Sequence, residues 1–190
     1  MKVLVIDNYD SFTYNLVYLL KEDNVEVDIF RNDKIDPESC LNYDGIIFSP
    51  GPGIPENAGN LNQILQHCAG QTPILGVCLG HQAIGEYLGG KLKNLQEVYH
   101  GVESDITLTS QDSPIFKNLP DSFKVGRYHS WIIDEVQGAD FEVTARDKHN
   151  VIMALQQKDK GLFGIQFHPE SVMTPEGKTI LQNFIQFCKN

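Results

Sequence analysis

A cysteine lies between two glycines where an apolar run gives way to a helical pattern. The apolar run covers residues 73–77, and Gly76, Cys78 and Gly80 form a Gly-x-Cys-x-Gly sequence. This sequence is typical of a nucleophile elbow, a sharp strand-to-helix turn that exposes the nucleophile at the carboxyl end of a sheet. The N-terminus of the following helix favours a thiolate. The alternative is a small buried cysteine packed between glycines.

A thiol nucleophile needs a base, and His168 has the most suitable surroundings of the six histidines. The apolar run at 163–167 reads as a strand that carries His168 to a sheet end, and Pro169 follows it. A residue before proline is held extended, and side chains two apart on an extended chain point the same way. Glu170 can therefore reach the ring of His168, which predicts a Cys-His-Glu triad with Cys78. Taken alone, His-Pro-Glu is also an ordinary exit from a strand.

A segment rich in proline and glycine follows another apolar strand. Residues 49–53 read Ser-Pro-Gly-Pro-Gly directly after the strand pattern at 45–48. The segment is therefore predicted at the carboxyl edge of the sheet, where such folds bind ligands. The backbone N–H groups of Gly51 and Leu79 could together form an oxyanion hole. By itself the segment indicates only a turn, and it lacks the lysine and spacing of a phosphate-binding loop.

Alternating strand and helix patterns must position these residues. Strands are expected at 3–6, 25–30, 45–48 and 73–77, and helices at 11–21, 60–68 and 82–88, with Asp10 as the capping candidate of the first helix. This alternation predicts a doubly wound α/β fold with a mostly parallel central sheet flanked by helices. Strand patterns at 106–109, 124–127, 142–145 and 151–155 predict a mixed, partly antiparallel extension before a closing strand at 162–167 and a helix at 177–188.

Composition narrows the class of protein. The chain has 190 residues, which predicts a single domain over 1–190, and a formal net charge of −10 without a long block of one sign. Such a surface argues against nucleic-acid and anionic-membrane partners. The absence of a signal-peptide pattern and of Cys-x-x-Cys spacing predicts a soluble cytoplasmic protein with neither disulfides nor a structural metal. No cofactor is expected, since thiol chemistry on an amide needs only a nucleophile, a base and oxyanion donors.

The chain resembles the class I (triad) glutamine amidotransferases over essentially its whole length. The motifs that carry the resemblance occur in the family's order: Ser-Pro-Gly-Pro-Gly at 49–53, Gly-Val-Cys-Leu-Gly-His-Gln at 76–82 and Gln-Phe-His-Pro-Glu-Ser at 166–171. The segments at 7–15 and 127–130 look like the branch of the family that serves chorismate-using synthases. The resemblance implies a flavodoxin-like fold.

The resemblance also implies a reaction. Cys78 would attack the side-chain amide of L-glutamine, and His168 would protonate the departing ammonia and then activate water to hydrolyse the glutamyl thioester. By motif position, the glutamine pocket would be lined by Gly51, Pro52, Gly53, Gln82, Ser130 and Trp131. Trp131 departs from the family pattern, in which leucine is common, although a backbone contact would survive that change.

The partner implied by the resemblance is a chorismate-binding synthase subunit in a hetero-oligomer. We expect docking near the predicted site at Asp10, Ser11, Thr13 and Tyr14. We favour anthranilate, made for tryptophan synthesis, because the overall pattern resembles that component of the family most closely. The alternative is aminodeoxychorismate, made for folate synthesis, or one chain that serves both synthases, and no residue separates these readings. A non-catalytic module that binds glutamine as a signal, and a free-standing hydrolase of γ-glutamyl compounds, are alternatives of a different kind.

Overall fold

A computed structural model describes residues 1–22, 24–134 and 137–189 of the chain. The strands are β1 Lys2–Asp7, β2 Glu26–Arg31, β3 Gly45–Phe48, β4 Ile74–Val77, β5 Lys91–Asn94, β6 Val102–Leu108, β7 Ser122–Arg127, β8 Trp131–Asp134, β9 Glu142–Asp147, β10 Ile152–Gln157 and β11 Leu162–Ile165. The α-helices are α1 Thr13–Lys21, α2 Leu61–Cys68, α3 Leu79–Tyr87 and α4 Gly177–Phe187. Short 3-10 helices lie at Pro37–Asn42, Pro55–Asn57, Pro114–Phe116 and Lys158–Lys160.

Nine of the described strands form one sheet in the order β2-β1-β3-β4-β11-β10-β9-β6-β7. The strands from β2 to β11 in this order run parallel, and the remaining strands pair antiparallel. The predicted α/β fold with a parallel centre and an antiparallel extension is therefore confirmed. Strands β5 and β8, which the strand patterns did not predict, form a separate antiparallel pair.

Alternating side chains of the central strands bury both faces of the sheet. On β1, Val3 and Val5 belong to a cluster with residues of α1 and α4, whereas Leu4 and Ile6 belong to a cluster with residues of α2 and α3. These four β1 side chains have no exposed surface. A strand buried on both faces reads as a continuous apolar run, as the sequence does here.

The first helix begins later than its pattern predicts. The structure places Phe12, not Asp10, at the N-cap of α1, with no side-chain cap. The carboxylate of Asp10 instead accepts a hydrogen bond from the Phe12 N–H at 2.8 Å. Asp10 therefore shapes the turn between β1 and α1, since a short acidic side chain readily bonds the backbone two residues on. The interpretation of Asp10 as a helix cap is wrong.

The carboxyl ends of β1, β3, β4 and β11 meet at one edge of the sheet. β2 and β3 lie on opposite sides of β1, so the order reverses at that strand. A reversal of this kind opens a crevice above the strand ends. The segments that leave β3, β4 and β11 at this edge contain Gly51, Cys78 and His168. Within the described residues, no helix is both long and apolar enough to cross a lipid bilayer.

Gly76→Ala should strongly destabilise the fold. A Cβ at this position would lie 2.3 Å from the carbonyl carbon and oxygen of Gly80, and backbone cannot move aside as a flexible side chain can. We expect a loss of about 3 kcal/mol in the free energy of unfolding, measured with urea. Gly70→Ala is the control, because its φ is +77° but a Cβ there meets nothing within 4 Å. That variant should lose about 1 kcal/mol; equal losses would contradict the crowding at Gly76.

Candidate active site

Cys78 lies at a strained turn between β4 and α3. Its backbone has φ 52° and ψ −98°, and it occupies the N-cap position of α3. Gly80 allows close approach to β3, because a Cβ there would lie 2.6 Å from the Cβ of Phe48. The turn has the form predicted for a nucleophile elbow. Strain of this kind in a non-glycine residue costs about 1–3 kcal/mol and is concentrated at functional sites.

The backbone around His168 is fixed by β7 and by the loop that follows β11. The N–H of His168 donates to the carbonyl of Gly126 at 3.1 Å. The hydroxyl of Thr174 donates to the carbonyl of His168 at 2.7 Å and accepts from the N–H of Gly126 at 2.9 Å. These bonds hold the start of the His-Pro-Glu segment against the antiparallel part of the sheet. A sequence pattern for β11 alone gives no indication of them.

The side chains of His168 and Glu170 form a close pair. Nδ1 of His168 and Oε1 of Glu170 lie 2.6 Å apart, and only 5% and 1% of the two side chains are exposed. Burial acts to lower the pKa of His168, but its interactions with Cys78 and Glu170 outweigh this and raise the pKa to about 10. The buried Nε2 atom has no hydrogen-bond partner among the described residues. It is therefore available for the thiol or for a bound substrate.

Cys78 and His168 share one open cleft of about 530 Å³. The residues that line it are Tyr9, Asp10, Ser11, Phe12, Pro50, Gly51, Pro52, Cys78, His100, Tyr128 and His168. The structure thus brings together the three segments that the sequence analysis selected. Burial raises the pKa of the Asp10 carboxyl, with the Phe12 N–H and His168 opposing this effect and Glu170 adding to it. A nucleophile, a paired imidazole and a cleft for substrate are the components of acyl transfer.

The Pro/Gly segment is fixed beside the nucleophile by Asn8. The N–H of Asn8 donates to the hydroxyl of Ser49 at 2.9 Å, and its side-chain amide donates to the carbonyl of Ser49 at 2.7 Å. Gly51 packs closely, since a Cβ there would lie 2.6 Å from the Asn8 carbonyl oxygen and 2.8 Å from Cδ2 of Leu79. Leu79 is the first residue of α3, so its N–H has no intrahelical acceptor. The two residues assigned to an oxyanion hole therefore lie side by side.

The other residues predicted to bind glutamine do not line the cleft. Gly53 is exposed, and Gly53, Gln82, Ser130 and Trp131 are not among the described residues that line the cleft. Gln82 is buried, and its Nε2 donates to the carbonyl of Trp131 at 2.9 Å and to Oε1 of Gln166 at 3.3 Å. The amide nitrogen of Gln82 is thus engaged within the protein, and only its oxygen remains for a ligand.

The four candidates for partner contact are not equally accessible. Ser11 and Tyr14 are exposed and Asp10 is half-buried, so these three can reach a partner. Thr13 is fully buried, and its hydroxyl donates to Oδ1 of Asp7 at 3.0 Å. The interpretation of Thr13 as a contact residue is wrong, because its polar side chain closes the turn after β1.

Two residues of the site were missed as candidates. The ring of Tyr128 packs on the ring of His168 with centroids 4.8 Å apart, and its hydroxyl lies 3.2 Å from Oγ of Ser171. Nε2 of Gln166 lies 3.6 Å from the sulfur of Cys78. Both residues belong to motifs at 127–130 and 166–171, which were the available signal. No group of three or more side chains suited to a metal ion occurs in the part of the chain that the structure describes.

Comparisons with known proteins agree on one family. The family profile described as glutamine amidotransferase class-I matches residues 4–187. An anthranilate synthase component 2 from Cyanophora paradoxa is 48% identical over 192 residues, covering 99% of this chain and 100% of that protein. A protein of the same name from Lactococcus lactis is 46% identical, covering 96% of this chain and 93% of its own length. An aminodeoxychorismate/anthranilate synthase component 2 from Bacillus subtilis is 44% identical, and the match covers 97% of this chain and 95% of that protein.

Solved structures show the same fold. A protein from Thermoplasma acidophilum, described as one of the subunits of a GMP synthase, has a TM-score of 0.89 at 26% identity and covers 100% of this chain and 94% of that chain. A glutamine amidotransferase from Thermotoga maritima has a TM-score of 0.80 at 14% identity, and the match covers 99% of this chain and 97% of that chain. At the lower identity the likeness supports the fold alone.

Glu170→Gln should change how stability depends on pH. The folded-state pKa of His168 is raised to about 10, so the stability it contributes is complete below the unfolded pKa of about 6.5 and is lost as pH rises through about 10. The amide keeps the shape of the glutamate side chain and removes its charge. We expect the gap in free energy of unfolding between wild type and variant to be larger near pH 6 than near pH 9.5.

Urea denaturation at both pH values measures this gap, and NMR titration of the His168 ring should show a lower pKa in the variant. Glu97→Gln at an exposed position is the control and should leave both quantities unchanged. A gap that is independent of pH would contradict the paired state of His168 and Glu170.

Proposed function

The chain belongs to the class-I glutamine amidotransferase family, and we propose that it is the glutaminase subunit of an anthranilate synthase. In this role it hydrolyses L-glutamine through Cys78 and passes ammonia to a synthase subunit that converts chorismate to anthranilate. The presence of Cys78 and the His168–Glu170 pair at one cleft supports the glutaminase activity most directly. The names of the full-length relatives support the assignment to anthranilate synthase.

The first half of the reaction acylates Cys78. Cys78 gives its thiol proton to His168, the sulfur attacks the side-chain carbonyl carbon of glutamine, and a tetrahedral intermediate forms with negative charge on its oxygen. The N–H groups of Gly51 and Leu79 stabilise that charge, since such donors act when the charge develops. The carbon–nitrogen bond then breaks, and His168 gives its proton to the departing nitrogen to release ammonia. Glu170 orients the imidazole ring through the bond of 2.6 Å to Nδ1.

The second half restores the thiol. His168, now neutral, removes a proton from water, and the resulting nucleophile attacks the carbonyl carbon of the glutamyl thioester. The carbon–sulfur bond breaks, glutamate leaves, and His168 returns its proton to the sulfur, which restores the thiol of Cys78. One proton thus passes between Cys78 and His168 in each half-reaction. Neither step uses a metal or an organic cofactor.

Recognition of glutamine uses the walls beside the nucleophile. Gly51 and Pro52 line the cleft and support the amide end of the substrate. Gln82 can accept a hydrogen bond from the substrate's ammonium group through its oxygen, because its nitrogen is engaged within the protein. We assign Gly53, Ser130 and Trp131 to the glutamine pocket by motif position.

The mouth of the cleft has apolar residues suited to a protein partner. A groove of about 120 Å³ is lined by Phe12, Asn15, Tyr128, His168, Glu170, Ser171 and Val172, and so adjoins the His168–Glu170 pair. Phe12 is 45% exposed and Val172 is 97% exposed. On α1, Tyr14 and Tyr18 are 56% and 65% exposed and lie one helical turn apart.

We propose this mouth surface, defined by Phe12, Tyr14, Tyr18 and Val172, as the docking site of the synthase subunit in a hetero-oligomer. Docking here would receive ammonia where it forms.

A second candidate product is aminodeoxychorismate. The relative from Bacillus subtilis carries both synthase names, so one subunit of this kind is described as serving both. The glutaminase chemistry is the same for either synthase. The two functions differ only in the synthase subunit that the mouth surface accepts.

We infer one amidotransferase domain over residues 1–190, which the profile match across residues 4–187 supports. We also infer a cytoplasmic location. The four cysteines are free thiols, which is consistent with a reducing compartment.

Cys78→Ser should abolish hydrolysis of glutamine, with kcat falling about a thousandfold or more. The variant complex should still form product when an ammonium salt replaces glutamine, because only ammonia generation is lost. Release of glutamate and ammonia is measured with and without each synthase subunit, while anthranilate is followed by fluorescence. Cys188→Ser is the control and should retain activity.

Formation of aminodeoxychorismate alone would move the assignment to the folate branch. Binding of glutamine by wild type without hydrolysis in the presence of either synthase would instead favour a regulatory module.

Substitutions at the mouth surface should weaken the complex. Val172→Asp and Tyr14→Ser should each cause about a tenfold rise in the Kd for the synthase subunit, since they charge or remove exposed apolar contacts. Leu41→Asp and Tyr87→Ser are matched controls at exposed positions outside this surface. Isothermal titration calorimetry measures the Kd values. Unchanged binding for both mouth variants, or equal weakening by the controls, would place the interface elsewhere.

A further inference from the structure

Gln166 is a buried polar residue that the two half-reactions leave without a role. It follows β11 directly and is fully buried. Its backbone N–H donates to the carbonyl of Met153 at 2.9 Å, and Cys78 donates its own N–H to the carbonyl of Ile165 at 2.9 Å. The pairing of β11 with β4 therefore sets Gln166 directly beside the nucleophile. Burial of an amide is costly unless its polar atoms are bonded, so each contact of this side chain is informative.

The direction of the bond between Gln166 and Cys78 follows from its neighbours. A carbonyl oxygen only accepts, so the Gln82 group that faces the Trp131 carbonyl at 2.9 Å must be the NH₂ group. The other N–H of that group points to Gln166 at 3.3 Å, which must therefore present its oxygen. The opposite end of the Gln166 amide is then the NH₂ group, 3.6 Å from the sulfur of Cys78.

The carbonyl of Trp131 is itself held by a second donor. Nε of Arg127 donates to Nε2 of His129 at 3.1 Å, so His129 carries its proton on Nδ1 and donates to the Trp131 carbonyl at 3.0 Å. Arg127 forms a buried ion pair with Asp147 at 2.6 Å. Burial, followed by the charge of Arg127, lowers the pKa of His129 to about 3, which keeps this ring neutral. The acceptor that orients Gln82 is thus held by a neutral imidazole, which is itself held by a buried ion pair.

We propose that Gln166 is a further catalytic residue, whose amide donates a hydrogen bond to the Cys78 sulfur, and that Gln82 is a positioning residue that fixes the direction of that amide. A donor at the sulfur stabilises the thiolate over the thiol. It supports attack on the amide and departure of the sulfur from the thioester in the second half-reaction. His168 and Gln166 then act on the nucleophile in different ways: His168 exchanges a proton with the sulfur, and Gln166 only donates a hydrogen bond to it. This inference rests on the proposed glutaminase function.

The test measures the ionisation of Cys78 without glutamine or a synthase. The rate of alkylation by iodoacetamide is followed against pH by mass spectrometry of the peptide that contains Cys78. In Gln166→Leu the inflection should move up by about one pH unit, because the donor to the thiolate is lost. In Gln166→Glu it should move further, since a carboxylate beside the sulfur opposes its charge. Gln82→Met should give a smaller shift in the same direction.

Gln156→Leu is the matched control. Gln156 is a buried glutamine on the neighbouring strand β10, and its amide donates to Glu142 at 2.7 Å, away from the thiol. The Gln156→Leu variant should have a lower free energy of unfolding, but the inflection of its alkylation rate against pH should stay at the wild-type value. The titratable side chains that line the cleft with Cys78 are Tyr9, Asp10, His100, Tyr128 and His168. Glu170 is bonded to His168, and His81 follows Cys78 by three residues on α3. All of these groups are unchanged in the variants.

Steady-state kinetics with the synthase subunit separate binding from chemistry. Gln166→Leu should lower kcat for glutamine about tenfold and change KM less than about twofold, because the bond acts on the sulfur and not on the bound substrate. An unshifted inflection in both Gln166 variants, or an equal shift in Gln156→Leu, would overturn the inference. Because alkylation needs no glutamine, failure of wild type to hydrolyse glutamine would overturn the proposed function separately.

Discussion

The backbone of Cys78 is the constraint on which the rest of the site depends. A φ of 52° in a cysteine costs about 1–3 kcal/mol, and it persists because both sides of the turn are fixed. On one side β4 is paired with β3 and β11 in the middle of the sheet. On the other, α3 lies so close to β3 that position 80 has room only for glycine. The stable centre of the sheet thus presents the Cys78 sulfur to the cleft at the sheet edge, where the first N–H groups of α3 have no intrahelical acceptor.

Two sets of polar groups lie beside that sulfur, and both are supplied by the chain that leaves β11. The His168–Glu170 pair is supplied by the segment after β11 and is held in place by β7 and Thr174. The amide of Gln166 comes from the same strand end but takes its direction from Gln82 on α3. The pair and the amide are buried, and each has a defined donor direction, so little reorganisation is required during the reaction. An open cleft bordered by apolar residues lets substrate and partner approach this fixed arrangement.

The sequence indicated the parts of the site that depend on local geometry. A strand, two glycines and a helix predict the turn at Cys78, and proline after His168 predicts that Glu170 points to the same side. Local sequence patterns did not predict the features that depend on tertiary contacts. The strand β5 has one apolar residue, Leu92, and exists through pairing with distant β8. Thr13 looks like an exposed polar residue at a helix start but bonds Asp7 in the interior. The bond from Gln166 to Cys78 depends on the register of β11 against β4, which no single-strand pattern contains.

The central claim is that Cys78 forms a covalent thioester with the γ-acyl group of glutamine. Acid quenching of the complex during turnover, followed by peptide mass spectrometry, tests it directly. We expect a mass increase of one glutamyl group on the peptide that contains Cys78, with Cys40, Cys68 and Cys188 unmodified. A glutamyl adduct on another cysteine, or glutamate release that continues after Cys78 is fully alkylated, would contradict it.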